Sequence, residues 1–200
     1  LYEKVMRNNP SYFSYGSDYP VDTVSWYDAV TFANALSKKE GLEQCYTCSG
    51  SETSVTCEEN VAFASIYDCD GYRLPTNHEW ELAARSGTTL DFWTGEGLYL
   101  GGTPSDPNGP YLNVTIDDGV SNPLLDLYAW YGANNGTWGD PNYGAKAVAQ
   151  KIPNGYGLYD VHGNLWEWTN EWYLRGGTWG YYPGDITVLK MTSDSPDRRF

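Results

Sequence analysis

Apolar residues recur at helical spacing in only a few short stretches of this chain. Val24-Ser25-Trp26-Tyr27-Asp28 reads as a helix start, with Ser25 as N-cap and an acid at the third helical position. Ala29, Val30, Ala33 and Leu36 continue the apolar stripe, and Gly41 stops it. In Leu74-Pro75-Thr76-Asn77-His78-Glu79-Trp80, Thr76 and Glu79 form a capping box. Trp80, Ala83 and Ala84 make the inner face of that second helix, which Gly87 ends. The chain opens on Leu1, Tyr2, Val5 and Met6, which have the spacing of a helix already under way, so the domain is expected to be cut short at its start.

Beyond Gly87 the helical period is gone. Gly, Pro, Asn and Asp punctuate short aromatic runs such as Tyr128-Ala129-Trp130-Tyr131 and Leu165-Trp166-Glu167-Trp168, which predicts irregular backbone with short strands. So long a stretch with little regular structure is uncommon in a compact domain unless something constrains it, and a bound metal ion is one such constraint. No repeat, low-complexity tract or linker divides the chain, so residues 1–200 are read as a single domain.

Composition narrows the chemistry. Nine Trp and 18 Tyr against 5 Phe mean that most large side chains carry a polar atom needing a partner. A net charge of −14 argues against nucleic acid, whose phosphates are bound by Lys and Arg, so no nucleic-acid partner is expected, and it favours cations such as calcium, which takes oxygen ligands. No stretch is long and apolar enough for a membrane span, so no membrane insertion is expected, and a monomer is the default state. Asn113-Val114-Thr115 and Asn135-Gly136-Thr137 match glycosylation acceptors but carry little weight, since such triplets arise by chance.

All four cysteines, Cys45, Cys48, Cys57 and Cys69, fall in one polar segment, 45–69, read as a stapled surface insertion. Zinc and free thiols compete with disulfides here, yet only Cys45 and Cys48 form a C-x2-C knuckle and no βαβ pattern surrounds it. Four cysteines allow three pairings, and adjacent-loop closure favours Cys48 with Cys57 nested inside Cys45 with Cys69. Disulfides imply an oxidising, extracytoplasmic compartment: periplasm, cell surface or secreted.

Three segments in order carry a family likeness: Gly71-Tyr72-Arg73-Leu74-Pro75-Thr76 with Glu79-Trp80-Glu81; Asn154-Gly155-Tyr156-Gly157-Leu158-Tyr159-Asp160 through Gly163-Asn164-Leu165-Trp166-Glu167-Trp168; and Arg175-Gly176-Gly177-Thr178-Trp179. Together they resemble the formylglycine-generating-enzyme, or sulfatase-modifying factor, family across essentially the whole chain. That family's closing Gly-Phe-Arg strand would lie beyond Phe200, so the domain is expected to be cut short at its end as well. The resemblance implies an α+β fold, a variant of the C-type lectin fold, with two short helices, small antiparallel sheets and long loops held by calcium. The family's calcium ligands fall on the side chains of Asp160 and Glu167 and the carbonyls of Gly163 and Leu165. Two carboxylates and two carbonyls on one turn supply hard oxygens, and Gly163 permits the backbone this needs. A second set would fall on Asn134 and Asp140 with the carbonyls of Asn135 and Asn142, where an ordinary Asn/Asp/Gly turn cluster would look alike.

The family's enzyme also uses two cysteines after its Gly-Gly-Ser/Thr-aromatic motif to hold copper. Here the corresponding positions are Tyr181 and Ile186, and no cysteine follows Cys69, so no copper is expected. His78 and His162 are too isolated for a metal triad, Glu79 is committed to its cap, and Glu81 lies on another face of the helix. The reading is therefore a non-catalytic, calcium-stabilised binding or scaffold module for a protein or glycan. Its contact loop runs from Trp179 to Asp194, with Trp179, Tyr181, Tyr182 and Asp185 as candidate ligand-binding residues. The rival is a divergent formylglycine-generating oxidase that uses other residues.

Overall fold

The structure, a computed structural model, describes residues 1–50, 54–89, 92–94, 125–178, 180, 192–193 and 196. Helix α1 covers Tyr2–Met6, α2 Trp26–Glu40 and α3 Asn77–Arg85. Strands β1 (Tyr46–Ser49) and β2 (Thr56–Glu59) form an antiparallel hairpin, while β3 (Glu167–Trp168), β4 (Tyr173–Arg175) and β5 (Thr192–Ser193) form a three-stranded antiparallel sheet. This is the expected α+β arrangement of few helices and small sheets, although α2, at 15 residues, is longer than a short helix.

Both capping boxes form. Ser25 Oγ accepts from the Asp28 amide while Asp28 accepts from the Ser25 amide, and Thr76 and Glu79 do the same for α3. Each box satisfies two backbone donors, worth about 1 kcal/mol per cap. Gly41 ends α2 in the left-handed conformation, with φ 74°. Helix α3 ends one residue before the predicted glycine: Ser86 takes the left-handed position, and Asn154 reaches across to donate to the carbonyls of Ala83 and Ala84.

The main core gathers Trp26, Val30 and Ala33 of α2 against Tyr46, Ile66, Trp168 and Leu174. The polar atoms of its aromatic residues find partners, as burial demands. Trp26 Nε1 donates to Thr169 O at 2.9 Å, Trp168 Nε1 to Val24 O at 3.2 Å, and Tyr46 Oη to Asn170 Oδ1 at 2.8 Å. Burial pushes the Tyr46 hydroxyl up to about 12. A smaller core of Phe92, Leu125, Tyr128, Ala129 and Tyr131 sits beside His162, which is fully buried and accepts from the Trp93 amide. His162 is thus a core residue, in keeping with its isolation in the sequence.

The cysteines pair as Cys45–Cys69 and Cys48–Cys57, the nested arrangement. Between them lies regular structure that the sequence did not suggest, since Cys48 and Cys57 face each other across the β1–β2 hairpin. Asn34 of α2 fixes that hairpin from below, donating to Tyr46 O at 2.8 Å and accepting from Tyr46 N at 3.2 Å.

Candidate functional site

The segment from Asp160 to Glu167 turns back on itself through three left-handed residues, Asp160 (φ 58°), Gly163 (φ 87°) and Asn164 (φ 61°). At Gly163 no other residue fits, because a Cβ there would stand 1.9 Å from Trp130 O. Asn164, two residues into a conformation that Asn tolerates better than most, uses its amide to hold a neighbouring strand of loop. Its Oδ1 accepts from Lys146 N at 2.9 Å and its Nδ2 donates to Lys146 O at 3.2 Å. The Gly163 amide donates to Gly176 O at 2.6 Å, which joins the turn to the end of β4.

This geometry places the residues of the first predicted set around one cavity. Asp160, Gly163, Leu165 and Glu167 all line one cavity of about 420 Å³, flanked by Val21 and Val148. Asp160 Oδ2 accepts from the Ala149 amide at 3.0 Å, whereas Asp160 Oδ1 is buried with no hydrogen-bond partner. Glu167 Oε2 accepts from Trp80 Nε1 of α3 at 2.7 Å. Burial pushes Glu167 up to about 7, with the Asp160 charge adding and the Trp80 bond opposing. Burial raises Asp160 as well, against the Ala149 amide and Lys151. Two carboxylates desolvated in one cavity, one with an orphaned oxygen, make a place where positive charge is deficient. Among the described residues no group of three or more His, Cys, Asp or Glu that could hold a metal ion is found, so any ion here would depend on backbone carbonyls besides the two carboxylates, all of them oxygens. That donor set fits a hard cation such as calcium.

The second set is arranged otherwise. Asn134 spends its amide inside its own loop, with Oδ1 accepting from Tyr131 N and Nδ2 donating to Asp126 Oδ1 and Ala129 O. Asp140 Oδ1 accepts from Asn142 N, and Asn142 O accepts from the ammonium of Lys146. Asn135 is buried, with both side-chain amide atoms lacking partners. Burial lowers Lys146 to about 8, opposed by the nearby Asp140.

The two glutamates of α3 take separate duties. Glu79 pairs with Arg73 at 2.7 Å besides capping its helix, and the Arg73 bonds hold its carboxyl down at about 2. Glu81 binds Arg85 and, at 2.6 Å, Arg175, a fully buried arginine of β4 that also lies over the Trp80 ring. Sequence reasoning missed Arg175, Asn164 and the role of Trp80, although all three stand inside the motifs that carry the resemblance. Trp179, Tyr181, Tyr182, Asp185 and Ile186 lie outside the described residues.

A family model described as the sulfatase-modifying factor enzyme 1-like domain matches residues 3–199. The chaperone protein LppX of Paenibacillus barcinonensis is 34% identical over 190 residues, covering 87% of this chain and 59% of that protein. A formylglycine-generating enzyme from Thermomonospora curvata is 37% identical over 120 residues, covering 60% of this chain and 32% of that enzyme. Among solved structures, Treponema denticola variable protein 1 matches with a TM-score of 0.74 at 28% identity, over 100% of this chain and 77% of that one. The chain thus spans less than two thirds of the length of these two curated relatives.

Proposed function

Because the chain belongs to the sulfatase-modifying factor enzyme 1-like family, we propose that it is a non-catalytic, calcium-stabilised module that binds a protein ligand outside the cytoplasm. The observation that carries this reading is the fate of the thiols. All four cysteines of the chain are consumed in two disulfides within residues 45–69, so no thiolate pair remains to hold copper. At the two positions where the resemblance asks for cysteine stand Tyr181, whose hydroxyl ionises only near pH 10, and Ile186, which has no lone pair.

Asp160 and Glu167 would hold calcium through their carboxylates, and Gly163 and Leu165 through their carbonyls. The ion would supply the positive charge this cavity lacks. Without the ion, burial favours the protonated form of Glu167. The name of the Paenibacillus relative, a chaperone protein, supports a protein as the ligand. The contact surface falls to the loop carrying Trp179, Tyr181, Tyr182 and Asp185, whose Tyr and Gly richness suits adaptable recognition. Two disulfides support an oxidising compartment. Among the described residues no helix is long and apolar enough to cross a membrane.

The test is incubation of the protein with copper(I), oxygen and a sulfatase-type cysteine peptide, followed by aldehyde capture. The reading predicts no time-dependent formylglycine above the protein-free control. Turnover would overturn it in favour of an oxidase that uses other residues.

A further inference from the structure

The resemblance places a second calcium ion among Asn134, Asn135, Asp140 and Asn142, and the structure places a lysine there. We infer that the ammonium of Lys146 stands in for that second ion, so that this chain carries one calcium site and one built-in cation. The inference deepens the calcium reading and rests on it for the assignment of the two oxygen sets.

Lys146 Nζ donates to two backbone carbonyls, Asn142 O and Gly144 O, each at 2.6 Å. It also lies 5.5 Å from the centroid of the Trp130 ring, whose negative face attracts a cation. Two carbonyls and a ring face account for the directions in which an ammonium interacts, and Asp140 adds a nearby negative charge. The lysine is not a loose surface side chain that happens to fall inward. Its backbone is gripped on both sides by Asn164 of the first turn, which fixes where the side chain starts.

The same arrangement works against an ion. Calcium takes six to eight oxygens, but the Asn142 carbonyl is taken by the ammonium and the Asn134 amide by Tyr131, Asp126 and Ala129. Charge decides the matter. A divalent ion beside the ammonium would meet like charge. Lys151, whose ammonium lies 3.7 Å from the Trp130 centroid, adds to the positive charge already present.

The experiment counts calcium ions retained by demetallated protein after equilibrium dialysis against calcium alone, read by elemental analysis. The wild type is expected to hold one ion, lost in Asp160→Asn. Lys146→Met is expected to gain a second, weaker ion, and that gain should vanish on adding Asp140→Asn. Two ions in the wild type, one of them surviving Asp160→Asn and indifferent to Lys146→Met, would overturn the inference while leaving the first site intact. No ion in the wild type but one in Lys146→Met would sink the calcium reading of the first turn and support the lysine inference. Should Lys146→Met fail to fold, the wild type answers alone through amine acetylation mapped by mass spectrometry. Lys146 should react at a rate unchanged by millimolar calcium, as should the exposed Lys38 and Lys39. A rise in Lys146 labelling on adding calcium would mean that the ion displaces it, contrary to the inference.

Discussion

Trp80 Nε1 donates a 2.7 Å hydrogen bond to Glu167 Oε2 across 87 residues of sequence. This bond joins helix α3 to the turn that carries the candidate cation ligands, and it fixes which way the Glu167 carboxylate faces. The Trp80 ring is itself held by Arg175 over its face, at 5.0 Å, and Arg175 is anchored by Glu81 of the same helix. Residues that hold a metal ligand in place commonly matter tenfold or more to affinity. Trp80→Phe keeps the ring and removes the donor, so calcium affinity by calorimetric titration should fall about tenfold with the disulfides intact. Unchanged affinity would show that Glu167 needs no such support.

The pH dependence of stability follows from the same carboxylate. Glu167 keeps its proton up to about 7 in the folded protein, against an ordinary value of 4.5. Between those values the folded state binds more protons than the unfolded, so stability falls as pH rises through this window and levels off above it. Glu79 has the opposite sign. Held down to about 2 by Arg73, it costs stability as pH falls from its ordinary 4.5 toward 2. Metal-free protein should therefore be most stable near pH 5. Calcium requires the deprotonated carboxylate, so melting curves with and without calcium should nearly coincide at pH 5 and separate by pH 8. A constant separation across that range would contradict the assignment of Glu167.

The two disulfides should open in sequence. Cys48 is exposed, whereas Cys45 and Cys69 are both buried. Thiol–disulfide exchange needs access to a sulfur, so mild reductant followed by alkylation should label Cys48 and Cys57 first. Cys45–Cys69 closes the longer loop, with a sequence separation of 24, and loops of that size are worth about 3 kcal/mol. Its loss should coincide with unfolding. Simultaneous labelling of all four would show that the hairpin and the core open as one.

Much of this was legible in the chain. The Ser25 and Thr76 caps announce α2 and α3, because a capping box is a local arrangement that needs no distant partner. The Asp160–Glu167 cavity was legible through family motifs, since the residues named there stand close together in sequence and line one cavity. The β1–β2 hairpin was not. Thr56-Cys57-Glu58-Glu59 buries only Cys57, so it lacks the alternation that marks a strand, and its pairing rests on a disulfide and on Asn34. Arg175 was missed for a related reason. A buried arginine is identified by what surrounds it, and its partners Glu81 and Trp80 lie more than 90 residues away. Lys146 reads in sequence as an ordinary surface lysine until the carbonyls of Asn142 and Gly144 are seen around it.

The central claim, that calcium stabilises this fold through the Asp160–Glu167 turn, is tested most directly by thermal unfolding with and without a chelator at pH 8. A ligand at 100 times its dissociation constant adds about 2.7 kcal/mol, equivalent to about 5–10 °C for a chain of this size. The wild type should lose that margin when excess chelator is added and regain it with calcium. Asp160→Asn, which keeps the shape and removes the charge, should melt at one temperature in both conditions. A wild-type melting curve unmoved by chelator, or a chelator effect that persists in Asp160→Asn, would contradict the account.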